Sequence, residues 1–273
     1  MILHNKNAVI YGAGGSIGST IAKAFAQAGA KVFLTGRNLS SVQSVADEII
    51  TSGGKAEAEQ ADALDAASVN NYLDNILKKA GTIDISFNCI GLDVVQNLPL
   101  IEMSVEDFVR PSQIAMRSHF ITATAAAKAM KEQGKGVILS LTATPGGIGY
   151  PYTAGFAPAC AAMETFYQNL ASEAGIYGIR AVNMRSGGSP DSAVFKRAIE
   201  TMPDVMEGIL RKMKADTMLK ALPSMADIAN LAVFLVSDLA AKITGVTVDV
   251  TCGTTTALNH RVDAINPSPN ISE

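Results

Sequence analysis

Residues 8–18 read Ala8-Val9-Ile10-Tyr11-Gly12-Ala13-Gly14-Gly15-Ser16-Ile17-Gly18. The first four are a short apolar run, the pattern of a strand buried on both faces. The run ends in glycines. Apolar residues then recur at helical spacing as Ile17, Ile21, Phe25 and Ala28, closing at Gly29. A glycine-rich turn between a first strand and a first helix lets backbone N–H groups approach a pyrophosphate at the helix N-terminus. The turn acquires meaning from its place after the first strand of an alternating chain.

The alternation continues outward. Residues 31–34 predict a second strand, and Val42, Val45, Ala46, Ile49 and Ile50 a helix ended by Gly53-Gly54. Residues 56–59 alternate weakly as a third strand. Val69, Tyr72, Leu73, Ile76 and Leu77 mark a third helix, and 83–87 a fourth strand. Ser104-Val105-Glu106-Asp107 reads as a capping box opening a long helix to about Glu132. A fifth strand at 137–141, a helix with Pro158 in its first turn and a sixth strand at 179–184 follow. Ser224-Met225-Ala226-Asp227 is a second capping box, for a helix through Val236 before a last strand at 246–250. Apolar strands separated by amphipathic helices imply a doubly wound parallel α/β sheet, Rossmann-like and covered on both faces. We expect one domain over residues 1–257, with 188–218 interrupting the alternation. Residues 258–273, which include Asn266-Pro267-Ser268-Pro269-Asn270, read as a flexible tail.

Composition narrows the function classes. The 273 residues are 48% hydrophobic and 17% charged, a globular balance able to build a large core. The net charge of −3, with no long basic run, argues against nucleic acid or an anionic membrane as main partner. Cys89, Cys160 and Cys252 are scattered and read as reduced thiols of a cytoplasmic protein. No signal peptide is expected, because Met1-Ile2-Leu3-His4 lacks an extended apolar stretch. No apolar run reaches transmembrane length. His4, His119 and His260 share no ligand spacing, so no metal site is expected.

Several segments match one family pattern in order. Gly12 and Gly18 fit the glycines of T-G-x-x-x-G-x-G, with Tyr11 for its threonine and Ser16 for its middle glycine. Ala61-Asp62, Asn88-Cys89-Ile90-Gly91 and Ile243-Thr244-Gly245 fit further stretches of that pattern. Over residues 6–253 the chain resembles a short-chain dehydrogenase/reductase of the single-domain type. The resemblance implies a nicotinamide dinucleotide held by Gly12, Gly14, Gly15, Ser16, Ile17 and Gly18. Asp62 with Ala63 would lie at the adenine, and Asn88 and Gly91 would close the fourth strand. An NAD enzyme usually ends its second strand with an acid for the ribose 2′-OH. Here that stretch is Leu34-Thr35-Gly36-Arg37, and Arg37 suits a 2′-phosphate, so NADP(H) is expected over NAD(H).

The catalytic pattern is different. The family's tyrosine donates a proton, its lysine lowers that tyrosine's pKa, its serine orients substrate, and an asparagine holds a relay water. By register these positions are Phe156, Cys160, Ala143 and Ala115. No lysine lies between Lys135 and Lys196, so no shift restores Tyr-x-x-x-Lys. Tyr150, Tyr152, Thr142 and Thr144 are the replacement candidates, each more suited to a structural or lining role. Cys160 has no histidine nearby in sequence to activate it. His119, four residues after Ala115, shares its helix face and fits a packed or interface role.

Residues 188–218 contain Phe195, Met202, Met206, Ile209, Leu210, Met213 and Met218, and fall at the family's substrate lid. Flexible thioethers suit a small apolar ligand. Two short amphipathic helices explain the same pattern structurally. The resemblance implies a homodimer or homotetramer through two central helices, rich here in Ala123, Ala125, Ala126 and Ala127 and in Ala157, Ala159, Ala161 and Ala162. Three purposes fit: a divergent oxidoreductase with an unfamiliar proton donor, a non-catalytic NADP(H)-binding sensor or subunit, and non-redox catalysis.

Overall fold

The structure is a computed structural model, and residues 1–257 are described. The expected tail, with His260, lies outside the described residues. Seven strands form one parallel sheet: β1 (Asn7–Tyr11), β2 (Lys31–Gly36), β3 (Lys55–Gln60), β4 (Ile85–Asn88), β5 (Gly136–Ala143), β6 (Ile179–Ser186) and β7 (Thr247–Val250). Their spatial order is β3-β2-β1-β4-β5-β6-β7. Every adjacent pair is parallel, with Tyr11 opposite both Thr35 and Asn88.

Strand period two sorts the core into two layers. Ala8 and Ile10 point to the layer built from α1 (Ser16–Gln27), α2 (Leu39–Thr51) and α8 (Met225–Val236). Val9 and Tyr11 point to the layer of α3 (Ala66–Ala80), α4 (Val105–Gln133) and α5 (Phe156–Ala174). The faint pattern of β3 has a physical cause, because it is an edge strand. Its outward Glu57 pairs with Lys31 at 2.6 Å and Lys79 at 3.1 Å, charges that suit an edge.

The helix starts differ in detail from the sequence reading. Ser224 and Asp227 form a complete capping box on α8. At α4 only half of it forms. Ser104 Oγ accepts from the Asp107 N–H at 3.1 Å, but the Asp107 carboxylate takes the Ser104 hydroxyl at 2.8 Å and Arg110 at 2.7 Å. Pro158 lies in the first turn of α5, as expected. Residues 188–218 contain α6 (Ala193–Thr201) and α7 (Pro203–Ala215), both amphipathic.

Between α4 and α5, His119 is 2% exposed, and its Nδ1 lies 3.1 Å from the Tyr167 hydroxyl. Burial pushes the imidazole down to about 3 from its ordinary 6.5. The unfolded chain therefore binds a proton that the folded chain refuses between these values, and stability falls as pH drops through that window. Urea denaturation from pH 7 to 4 should show this loss. His119→Gln should flatten the dependence; an unchanged slope in that variant would assign the acid sensitivity elsewhere.

Candidate functional site

The strand order reverses direction between β1 and β4, and a crevice opens beyond the carboxyl ends of these strands. It has a volume of about 600 Å³. Its walls include Tyr11, Gly12, Gly15, Arg37, Asp62, Ala63 and Gly91. The turn from β1 into α1 forms its floor. Gly12 has φ +76°, and a Cβ there would stand 2.6 Å from the Cys89 carbonyl oxygen. A Cβ on Gly18 would collide with the Gly12 carbonyl oxygen. The two glycines let α1 begin against the ends of β1 and β4. Gly15 is the N-cap of α1 and no side chain caps this helix, so its first amides are available to an anion. Gly14 faces away from this floor toward α2, where a Cβ would meet Ser41 Cβ at 2.9 Å. Its lack of a side chain admits the first turn of α2.

The far end of the crevice is set by β2, β3 and β4. Arg37 is exposed at its rim and forms no ion pair among the described residues. Its carbonyl accepts from Gln60 Nε2 at 2.9 Å, which ties the loop to β3. Asp62 Oδ1 accepts from the Leu64 N–H at 3.0 Å and so shapes its own loop. Asn88 is buried, donating to Thr122 Oγ1 at 3.0 Å and accepting from the Ile90 N–H at 3.1 Å. Thr35, Ile90, Asp93 and Ile114 also line the crevice and were not singled out by sequence. Most of them share a place at or just beyond a strand's carboxyl end, legible only once the strand order is known.

The four positions of the expected catalytic set converge. Ala115 and Cys160, both 0% exposed, pack with Leu92, Ala159 and Met163, and Ala143 and Phe156 close over the same cluster. Burial pushes the Cys160 thiol up to about 11, so it is protonated at neutral pH. Polar groups lie one step behind. Glu164, one helical turn beyond Cys160, pairs with Arg185 through Nε at 3.0 Å and through Nη2. Arg185 also reaches Asp249 at 3.0 Å. Thr142 donates to Glu164 at 2.8 Å and accepts from Asn183 at 2.8 Å.

The replacement candidates scatter. Thr142 is committed to that network, and Thr144 donates to the Ser186 carbonyl at 3.2 Å. Tyr150 is half-buried; burial, then the Asp216 carboxylate of the lid, holds its phenol above the ordinary range. Tyr152 is 57% exposed with φ +61°. Ala154, Asp93 and Asn97 also have positive φ, and the Asn97 N–H donates to the Tyr152 carbonyl at 3.0 Å. Two strained loops thus meet beside the cluster. The Lys212 ammonium of the lid acts to lower the Tyr150 phenol, but burial and Asp216 outweigh it.

Comparison with known proteins gives a consistent picture. The family model described as enoyl-(acyl carrier protein) reductase matches residues 12–255. The 7alpha-hydroxysteroid dehydrogenase of Escherichia coli (strain K12) is 30% identical over 257 residues, covering 94% of this chain and 97% of that protein. The 3-oxoacyl-(acyl-carrier-protein) reductase FabG of Escherichia coli (strain K12) is 30% identical over 253 residues, covering 93% and 98%. A structure of a 7 alpha-hydroxysteroid dehydrogenase complexed with NADH and 7-oxo glycochenodeoxycholic acid superposes with a TM-score of 0.80 at 30% identity, covering 92% and 94%.

Proposed function

Since this chain belongs to the short-chain dehydrogenase/reductase family, we propose that it binds NADP(H) and transfers hydride to or from a small apolar molecule without the family's tyrosine–lysine donor. One observation carries this reading: Ile114 lines the crevice above the dinucleotide floor and also packs against the apolar cluster of Ala115, Ala143, Phe156 and Cys160. When bound, the nicotinamide supplies or accepts the hydride. In this reading the amides at Ser16, Ile17 and Gly18 hold its diphosphate, while Gly15, whose own N–H donates to the Gly12 carbonyl at 3.1 Å, lets it approach the backbone. Asp62 and Ala63 border the adenosine side, and Asn88 braces the β4 end that carries Gly91. Arg37 is free to pair with a 2′-phosphate. Ala115, Ala143 and Phe156 offer no proton, and Cys160 only a buried, poorly acidic thiol. Phe195, Met206 and Met213 give the lid an adaptable apolar inner surface.

A second reading, a non-catalytic NADP(H)-binding sensor or subunit, is favoured by the completeness of that apolar cluster. We place the protein in the cytoplasm, consistent with Cys89, Cys160 and Cys252 all being free. No helix among the described residues is long and apolar enough to cross a membrane. We also propose a homodimer or homotetramer through α4 and α5. Half of the alanines that suggested close helix approach are spent internally: Ala123, Ala125, Ala126 and Ala159 are buried within the chain. One outward apolar residue is Phe120, 58% exposed, its ring 6.3 Å from that of Phe166. Sedimentation at micromolar concentration should give two or four chains; a monomer refutes the assembly.

Cofactor choice rests on Arg37. NADPH should bind more tightly than NADH, and Arg37→Asp should weaken NADPH binding by roughly ten- to a hundredfold, the loss of one charge-assisted contact. Fluorescence titration reads both constants, and equal affinity of the unmodified protein for the two cofactors sinks the assignment.

The wall predicts slow ketone reduction. Loss of general acid catalysis alone costs roughly 10²–10⁴-fold. Phe156→Tyr combined with Cys160→Lys should raise NADPH-dependent ketone reduction, and Ala143→Ser should raise it further. A melting curve checks that the buried lysine is tolerated. Rapid reduction by the unmodified protein, surviving Tyr150→Phe and Tyr152→Phe, would show that the proton comes from elsewhere.

A further inference from the structure

Ser16 stands where the resembling turn has its middle glycine, and it is the first residue of α1. Its hydroxyl oxygen accepts a hydrogen bond from the Ala193 N–H at 3.2 Å, across 177 residues of sequence. Ala193 is the first residue of α6, the helix that opens the lid. An amide at that position has no partner within its own helix. The lid helix is therefore capped in part by a side chain of the diphosphate turn.

The segment between β6 and α6 is held on its other side as well. Both carboxylate oxygens of Asp191 accept from the Met225 N–H at 3.1 Å, at the start of α8. The Ser192 N–H donates to the Ser189 carbonyl at 3.0 Å and closes a turn between the two ties. Within this turn Ser189 is 5% exposed, and its hydroxyl has no partner among the described residues. A buried hydroxyl without a partner costs free energy, so this loop is incomplete as it stands. The loop follows the carboxyl end of β6, on the edge of the sheet where the crevice opens.

We propose that Ser16 is a positioning residue that couples the cofactor diphosphate to the lid. This rests on the cofactor reading above. While its oxygen accepts from Ala193, its proton is free to point at a phosphate oxygen held by the α1 amides. A hydroxyl that accepts one hydrogen bond donates more strongly in the next, so the two contacts reinforce each other. Cofactor binding then tightens the start of α6, and an ordered lid tightens the cofactor by the same factor. A glycine at this position can accept nothing from Ala193 through a side chain and would leave lid and diphosphate independent.

The test combines amide hydrogen exchange over residues 193–201 with NADPH titration, on the full chain and on Ser16→Ala, Ser16→Gly and Ser16→Thr. In the unmodified protein NADPH should slow exchange in α6. Ser16→Ala and Ser16→Gly should exchange faster without cofactor, lose most of the NADPH-induced slowing, and bind NADPH about tenfold or more weakly. Ser16→Thr keeps the hydroxyl and should behave as the unmodified protein, which separates the coupling from general damage to the turn. If the unmodified protein binds NADPH but Ser16→Ala matches it in affinity and in α6 exchange, the coupling is wrong and the cofactor reading stands. If the unmodified protein binds neither NADPH nor NADH, both fall together.

Discussion

The close approach of the first turn to the end of β4 governs the rest of the molecule. A Cβ on Gly12 would stand 2.6 Å from the Cys89 carbonyl oxygen, so only glycine lets β1 turn into α1 at this place. That contact aims the α1 amides over the reversal of strand order. From there the crevice and the exposed Arg37 at its rim take their positions, and Ser16 at the start of α1 meets the lid at Ala193. Without it the same seven strands would still bury a core, but α1 would start too far from β4 to share a floor with it.

The apolar wall follows a packing rule of its own. A single catalytic side chain lost from a polar cluster leaves its partners buried and unsatisfied, which costs free energy for each. The cluster of Ala115, Ala143, Phe156 and Cys160 carries no such cost, because its side chains satisfy one another by contact. The polar groups that remain nearby are displaced by one residue or one helical turn, and each is partnered. Thr142 bonds Glu164, Glu164 pairs with Arg185, and His119 lies against Tyr167. The site thus has an apolar surface on a polar foundation. Arg185 joins α5, β6 and β7 through its two carboxylate partners and braces that surface from behind. Removing one member of such a buried pair typically costs about 3–5 kcal/mol, because the other charge is left uncompensated.

How much of this was legible in the sequence depends on the range of the interaction. Strand and helix order came from periodicities that are local, and they were readable from Ala8-Val9-Ile10-Tyr11 to the last strand. The half-formed cap at Ser104 was not, because Arg110 competes for Asp107 and capping boxes are written only in the four-residue pattern. The faint third strand was faint because an edge tolerates Glu57 and Glu59 in place of a buried face. The cofactor crevice was half legible. Gly12 and Gly18 announce themselves, while Thr35 and Ile90 belong to it only through the neighbour order of strands. The network of Glu164, Arg185 and Asp249, and the Ser16–Ala193 contact, join residues far apart in sequence and carry no local signature.

The juxtaposition of floor and wall constrains the chemistry under the proposed reading. Reducing a ketone develops negative charge on oxygen, and the usual remedy is a donor aimed at that oxygen. Phe156, Ala143 and Cys160 present carbon and a protonated, poorly acidic thiol instead. The wall thus supplies no strong donor and raises the barrier for an ordinary carbonyl. The cost shrinks for an acceptor that leaves little charge behind when hydride arrives, or that carries its own proton. Substrate choice in this crevice therefore rests on the electronic character of the acceptor more than on its shape, which an adaptable lid of thioethers and one phenylalanine leaves loosely defined.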